Sequence, residues 1–423
     1  MGAAHVTDWA TIVGNDFAAP GGPDDGIDGV VPRWVVRPGS VAEVQAVVRA
    51  GDALVAAGLG AHLDIGAAPR RLEVLVRLGR LDRVVDHQAA DMTITVEAGC
   101  PLSVLQDRLD SVGQWLPLDP PRPERTTVGG LVAANLGGPL RASQGGVRDL
   151  LLGLRVVGAG GTVIRGGGRV VKNVAGYDIP KLHVGAFGSA GVVVEATFKV
   201  RPRPERETAV IVECPTAREA AEAALAVRDA PDPLWIEVVG AGGLPDATGP
   251  AVAVGLGGLP AEVKHGGALV RELAESRGRR AVPIDDGRAL RARLGAFDVE
   301  PAAALLRAAT LPGMVGAAVE AVEEAARRRG ASIRTVAHAA NGVVRIAVAR
   351  GEDVAPLIGE LRPRLEKDGG SLTLHRARPD VKYAVDVWGD LGPGRELMRR
   401  IKDTFDPDGI FAPGRFVEGG ERP

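Results

Sequence analysis

TTVGGLVAANLGGPLRASQGGVRDLLLGLRVVGAGGTVIRGGGRVVKNVAGYDIPKLHVGAFGSAGVVVEATFKV, residues 126–200, sets paired and tripled glycines between runs of Val, Leu and Ala. Three β-rich segments, 151–157, 162–165 and 192–200, alternate with turns that carry almost no side chain. Glycine lacks the Cβ that blocks close approach, and it tolerates positive φ. Backbone N–H groups in such turns form concavities that suit phosphate. The stretch therefore reads as backbone built to lie against something large and flat, or as a Gly-rich β-domain that binds nothing.

The rest of the composition narrows the classes. A chain of 423 residues holds two or three domains, with 45% hydrophobic and 25% charged residues, which is ordinary globular material. A net charge of −2 and 3% aromatics give no nucleic-acid footprint and no base-stacking surface. Cys100 and Cys214 form neither a ligand cluster nor a disulfide framework, and they suit a reducing compartment. The start, MGAAHVTDWA, lacks a signal-peptide pattern, and Val6 stands where myristoylation wants Ser or Thr. No uncharged apolar run reaches the ~20 residues that span a bilayer as a helix. The expected location is cytoplasmic.

Outward from the glycine-rich stretch, residues 1–30 read as a loose Gly-Pro-Asp lead-in. Ser40, with Glu43 three residues on, opens a helix over 40–50 as a capping box. Residues 52–56 form a buried strand that ends in Gly58-Leu59-Gly60-Ala61-His62, a second place for a phosphate. Segments 72–78 and 92–98 read as strands, and 102–112 as a helix with Leu102, Leu105 and Leu109 on one face. After residue 205 the texture changes. Strands at 209–213, 234–239, 251–255 and 342–349 alternate with helices at 216–227, 261–276, 314–328 and 354–367. No internal repeat is visible in the sequence. A last helix, 391–405, precedes Phe405–Phe416, and no basic amphipathic helix stands out for membrane docking.

In order along the chain stand Gly58–His62, Val96-Glu97-Ala98-Gly99, Trp115–Pro121, Thr127-Val128-Gly129-Gly130 with Ala134-Asn135, and Val147-Arg148-Asp149. Then follow Lys172–Asp178, Gly185 to Glu195, and Phe405-Asp406-Pro407 to Arg415-Phe416. This ordered set resembles the FAD-binding family of the vanillyl-alcohol oxidase/p-cresol methylhydroxylase (PCMH) type. More narrowly, GQWLPLDPPRPERTTVGG, VVKNVAGYDIPKL and Val385–Gly389 resemble the E-type FAD-binding subunits of bacterial glycolate oxidases.

The resemblance implies an α+β fold: a two-part PCMH-type FAD-binding domain followed by a ferredoxin-like cap. The chain would divide into the lead-in 1–30, the FAD-binding domain 31–202 with parts 31–100 and 101–202, the cap 203–380, and a returning segment 381–423. FAD would be held non-covalently. Gly58, Leu59, Gly60, Ala61 and His62 would wrap the pyrophosphate. Thr127, Gly129, Gly130, Ala134 and Asn135 would line the adenine–ribose–phosphate path. Gly188, Gly191 and Val193 would lie at the adenine end, and Gly99, Pro120, Gly138, Gly145 and Arg148 complete the implied path. Relative to the family, Leu59 interrupts a run of glycines and restricts φ, and the preceding helix runs about one turn short.

Lys172 and Arg148 are candidates to neutralise phosphate or the reduced flavin, or else surface ion pairs. Tyr177 and Asp178 form either a turn beside the flavin or a structural cap. Arg122, Glu124 and Arg125 read as a solvated face, and Cys100 as packing. Catalytic relatives carry a His-Ala-Gly-Asp-Gly-Asn-Leu-His run. Here it becomes His338-Ala-Ala-Asn341-Gly-Val-Val-Arg345, which cannot gather metal ligands, so no metal is expected and His338 is read as structural. No catalytic residue is assigned.

The implied function is an FAD subunit of a glycolate (2-hydroxy acid) oxidase. A D-type flavoprotein would oxidise the small-molecule substrate, an iron–sulfur subunit would take the electrons, and membrane contact would come through those partners. Two alternatives stay open: a self-sufficient FAD-linked oxidoreductase, and a flavin-free scaffold.

Overall fold

Ser40 accepts the Glu43 N–H at 3.2 Å and Glu43 accepts the Gly39 N–H at 2.8 Å, so the capping box forms and the helix Val41–Ala50 follows. Val44, Val47 and Val48 bury its inner face. In a computed structural model the protein is described over residues 7–168, 177–228, 232–240, 242–243, 249–349, 351 and 353–416. The Lys172–Gly176 part of the sequence motif lies outside the described residues.

The first sheet has the order β1-β2-β4-β3, with β1 Ala18–Pro20, β2 Trp34–Val36, β3 Leu54–Ala57 and β4 Val74–Arg77. β2, β3 and β4 run parallel, while β1 pairs antiparallel with β2. The lead-in is therefore not loose beyond Thr7. Helix Trp9–Val13, capped by Asp8, buries Trp9 and Val13, and β1 extends the sheet. The Gly, Pro and Asp content hid three apolar anchors, Trp9, Val13 and Ile27, each under a tenth exposed.

The second sheet comprises β5 Val84–Gln88, β6 Thr93–Glu97, β8 Leu151–Val157, β9 Val163–Gly167 and β10 Val192–Lys199, in the order β5-β6-β10-β8-β9. β7 Gln114–Trp115 pairs separately with β11 Arg201–Pro202. Here the expected boundary at residue 100 moves. β5 and β6 belong to the second sheet, because β6 pairs along its length with β10, Glu97 opposite Glu195 and Thr93 opposite Lys199. The chain crosses between the two sheets after Arg77.

Eight antiparallel strands make the cap: β12 Arg206–Glu213, β13 Trp235–Val239, β14 Ala251–Gly258, β15 Ala281–Ile284, β16 Ala304–Ala309, β17 Ile333–His338, β18 Val343–Val348 and β19 Ser371–Ala377. Their order, β15-β12-β14-β13-β17-β18-β16-β19, is two ferredoxin-like βαββαβ units joined through β13 and β17. The duplication is one of topology and does not show as sequence self-similarity. Helices Ala217–Arg228, Pro260–Glu275, Val315–Arg329 and Val354–Glu366 cover one face of this sheet. The other face carries Trp235, Val239, Leu305, Val336 and Ala347 and packs with Leu140 of the FAD-binding domain.

The C-terminal segment returns to the first sheet. Leu54 donates to Ile410 and accepts from Ala412, both at 2.7 Å. Lys402, on helix Gly394–Phe405, ties this return down through Asp406 and the carbonyls of Ser189 and Phe411.

Candidate functional site

β3 ends in the turn that opens a cleft of about 740 Å³ between the two sheets of the FAD-binding domain. Gly58, Leu59, Gly60, Ala61, His62, Thr127, Gly129, Gly130, Ala134, Gly188, Gly191 and Val193 all line it. A Cβ on Gly58 would meet Thr127 Oγ1 at 2.1 Å, and one on Gly129 would meet the Ala98 Cβ at 2.9 Å, so backbone packs where side chains cannot. Gly188, at φ +70, faces open space. Among the described residues, the N–H groups of Gly58 to His62 find no protein acceptor.

Leu59 does not strain this turn. The positive φ belongs to Gly60, at +75, while Leu59 stays out of the left-handed region and is 41% exposed. The helix before β3 ends on Gly51 without disturbing the strand.

The other expected residues do not line the cleft. Gly99 is packing: its N–H donates to Leu81 O at 2.7 Å and a Cβ would meet Leu78 O at 1.9 Å. Asn135 closes helix Val128–Ala134 in the left-handed conformation. Gly138 donates to Asp119 at 3.1 Å, Pro120 lines an outer groove against the cap, and Gly145 terminates a short helix at φ +82. Arg148 is exposed. Tyr177 is exposed, and Asp178 pairs with Lys181 at 3.7 Å. Cys100 is buried packing, and burial pushes its thiol up to about 11.

Glu124 and Arg125 are exposed as expected, but Arg122 is not part of a solvated face. Arg122 Nη1 donates to Ala61 O at 2.6 Å and to Asp64 at 3.2 Å, and Arg125 reaches Leu59 O at 3.3 Å. Both clamp the turn from outside. Beside them His62 Nε2 and Thr126 Oγ1 lie 2.9 Å apart, and burial lowers the His62 pKa to about 4, so the ring is neutral. Sequence reasoning missed Arg415. It is 2% exposed, lines the cleft, and leaves its buried Nη1 without a partner.

Through Ala61 and His62 the cleft borders a chamber toward the cap. One part, about 310 Å³, is lined by Asp64, Ile65, Arg122, Asp298, His375 and Arg376. It shares Leu136, Asp298, Leu305 and His375 with a second part, about 400 Å³, that adds Arg141, Arg307, His338 and Arg345. Strand alternation explains the gathering. Glu237, Arg307, His338 and Arg345 share parity with Trp235, Leu305, Val336 and Ala347, which face the FAD-binding domain. A charged residue at an inward position of an otherwise apolar strand, as Arg345 is in Val343–Val348, was the available signal.

The charges in the chamber do not cancel. Glu237, with no exposed surface, accepts from Arg345 at 3.2 Å and lies 2.5 Å from His338 Nδ1. Asp298 stands 3.6 Å from Arg345. Arg345 Nε and Nη1 still have no hydrogen-bond partner. Burial, then the like charges of Arg141 and Arg345, push Arg307 down to about 10. Burial and Arg307 lower His375 to about 3, so it too is neutral. A cluster of cations in partial burial is costly unless an anion joins it. Among the described residues no group of His, Cys, Asp and Glu gathers as metal ligands, and no helix is long and apolar enough to cross a membrane.

Comparison with known proteins agrees with this geometry. Residues 32–167 match the FAD-binding domain model, and residues 203–416 match the C-terminal domain of FAD-linked oxidases. The glycolate oxidase subunit GlcE of Escherichia coli is 45% identical over 122 residues, 29% of this chain and 35% of that protein. The glycolate oxidase subunit GlcD of Bacillus subtilis is 26% identical over 420 residues, 91% of this chain and 89% of that one. The fold is that of p-cresol methylhydroxylase, with a TM-score of 0.75 at 17% identity over 96% of this chain and 95% of that one. A glycine-lined cleft with free N–H donors and a buried unpartnered guanidinium fits FAD, and the chain belongs to the FAD-linked oxidases, as an FAD-dependent oxidoreductase.

Proposed function

We propose that the chain is the FAD-carrying subunit of a 2-hydroxy acid oxidase of the glycolate oxidase type. The observation that carries this reading is the unbalanced arginine cluster in the chamber that adjoins the cofactor cleft. Arg141, Arg307 and Arg345 converge on one small cavity, and a short carboxylate would supply the missing charge. The relatives named as glycolate oxidase subunits support the same substrate class and an assembly of several chains.

FAD, when bound, supplies the hydride acceptor. Arg307 and Arg345 would hold the substrate carboxylate, with Glu237 fixing the Arg345 fork. His375, kept neutral, can accept a hydrogen bond from the substrate hydroxyl. The turn Gly58–Ala61 would hold the pyrophosphate by its N–H groups. Electrons would pass on to an iron–sulfur subunit. Membrane contact would come through partners, with this chain on the cytoplasmic side.

A second reading assigns substrate oxidation to a D-type flavoprotein partner, with this chain as relay. The broken histidine run favours it, because Arg345 stands where catalytic relatives carry their second histidine. Anaerobic mixing of the FAD-loaded chain with glycolate or D-lactate decides between them. Bleaching of the flavin by the chain alone supports oxidation in this chamber. Bleaching only when the D-type partner is added assigns the chemistry to that partner. An unbleached flavin in both mixtures overturns the 2-hydroxy acid reading.

A further inference from the structure

Ala61 and His62 line both the cofactor cleft and the chamber, and of the two only His62 carries a side chain that can take a proton. The surroundings of the ring assign its own proton. His62 Nε2 lies 2.9 Å from Thr126 Oγ1. The Thr126 hydroxyl also lies 2.9 Å from Arg122 O and 3.2 Å from Pro121 O. A carbonyl can only accept, so the threonine proton goes to a carbonyl and Oγ1 is left to accept. Nε2 therefore carries the ring proton, and Nδ1 keeps its lone pair. Burial holds the imidazole neutral, with a pKa lowered to about 4. A neutral ring with one nitrogen fixed as a donor presents the other as an acceptor.

Hydride transfer needs the substrate carbon against the redox ring, so that carbon must stand where chamber meets cleft, and its hydroxyl stands there too. Two neutral imidazoles are in reach. His375 lines the chamber alone, and Arg307 beside it opposes the charge a proton would bring, so it suits the entering acid. His62 has Asp64, which favours that charge, and Arg122, which opposes it. Asp298 and Arg376 share its chamber, and Arg125 and Arg415 its cleft. We infer that His62 Nδ1 takes the hydroxyl proton of the 2-hydroxy acid as the hydride leaves, an assignment that rests on the proposed oxidation in this chamber. The C2–H bond breaks and its electron pair goes with the hydrogen to FAD. The O–H bond breaks, its proton goes to Nδ1, and the C2–O bond becomes a carbonyl. The acid is oxidised to a 2-oxo acid, FAD is reduced, and His62 becomes an imidazolium beside Asp64. The cap carries Arg345 where catalytic relatives have a second histidine, and the acceptor comes instead from the turn after β3.

The test uses the full FAD-loaded chain and its variant His62→Gln, each mixed anaerobically with D-lactate. Two quantities are read: the rate of flavin bleaching, and the affinity for propionate, which keeps the carboxylate and lacks the hydroxyl. In His62→Gln, bleaching should slow at least about a hundredfold while propionate affinity stays within about threefold. Bleaching within about tenfold of the parent rate would overturn this inference and leave the proposed substrate class standing. A loss of propionate affinity as large as the loss of rate would make His62 a binding group and would also overturn it. If neither D-lactate nor glycolate bleaches the parent chain by itself, oxidation does not occur in this chamber, and the inference falls with that reading. Should His62→Gln not fold, the unmodified protein decides. Nitrogen NMR of its labelled histidines at about pH 7, with the His62 signals identified by their shift in Thr126→Val, should show a neutral ring with the proton on Nε2. A proton on Nδ1, or a charged ring, refutes the assignment.

Discussion

His338 Nδ1 lies 2.5 Å from Glu237 Oε1 in the middle of the cap sheet, where neither residue is more than 2% exposed. The two strands that carry them, β17 and β13, join the ferredoxin-like halves, so the contact sits on the seam. Glu237 also neutralises Arg345. Removing its charge leaves Arg345 buried with Asp298 at 3.6 Å as its remaining acid. Glu237→Gln should cost about 3 kcal/mol of stability, the usual order for breaking a buried ion pair from one side. Urea unfolding of the variant checks it, and a loss under about 0.5 kcal/mol would mean that Glu237 is dispensable.

His183 makes a second buried contact, edge-on to Phe405 with ring centroids 5.9 Å apart. Its Nε2 has no hydrogen-bond partner, and burial lowers its pKa to about 4. The unfolded chain titrates this group near 6.5, so the fold binds fewer protons between those values. The stability this neutral ring contributes is complete above about pH 6.5 and is lost as pH falls toward 4. The gap corresponds to about 3 kcal/mol. His183→Phe should unfold with a weaker acid dependence than the parent, measured as the difference in urea midpoint between pH 7 and pH 4.5. Parallel curves for the two proteins would show that the ring is solvated in the folded state.

The contact between Gly58 and Thr127 sets the width of the cofactor cleft. A Cβ at 58 would press on Thr127 Oγ1, which caps helix Val128–Ala134 by accepting the Gly130 N–H at 3.3 Å. Gly58→Ala should therefore lower FAD affinity at least about tenfold, as one wall of the cleft is pushed inward. Gly58→Ala combined with Thr127→Ala should recover most of that affinity while losing about 1 kcal/mol for the missing cap. Fluorescence titration with FAD reads the first effect and thermal unfolding the second. Equal FAD affinity in all three proteins would place the cofactor elsewhere.

Leu59 is the departure from the family pattern that the sequence makes conspicuous, and the structure makes it harmless. The backbone there avoids the left-handed region, and the side chain points toward solvent at 41% exposure. Leu59→Gly should leave FAD affinity within about threefold and cost up to about 1 kcal/mol through added freedom of the unfolded chain. A large gain in FAD affinity would show that leucine obstructs the cofactor after all.

Much of the fold was legible because local rules agreed with each other. The capping box at Ser40 and the strand Leu151–Val157 sit where the sequence puts them. The glycine turn after β3 was legible as backbone without obstructing side chains, and it lines the cleft. The rest depended on long-range pairing. β6 reads equally well with either sheet until its partner β10, about a hundred residues later, decides the matter. The cap strands β16, β17 and β19 are short apolar runs interrupted by Arg307, Arg334 and His375, which weakens a strand signal. Of these interruptions, Arg307 and His375 line the chamber. Their meaning appears only when alternation is combined with knowledge of which sheet face is inward, and one sequence does not supply that. Arg415 was passed over because nothing local distinguishes a C-terminal Gly-Arg-Phe whose arginine is buried from one whose arginine is solvated.

Arg307 carries the prediction that couples stability to function. It sits among Arg141 and Arg345, and burial with those like charges pushes its pKa down to about 10. Because the side chain is only half-buried, solvent screens part of the repulsion, and the cost to the folded protein is about 1 kcal/mol. Arg307→Met removes the charge and keeps the stem, so the variant should be more stable than the parent by about that amount. It should also lose substrate affinity by about a hundredfold, since a charged hydrogen bond to a carboxylate is worth about 3 kcal/mol in such a site. FAD affinity should not change, because Arg307 does not line the cofactor cleft. The pair of measurements is decisive. Higher stability with weaker binding of a 2-hydroxy acid marks the arginine as strained for function. A less stable variant with unchanged binding would show that Arg307 is held by partners inside the protein and that the chamber is not where the anion sits.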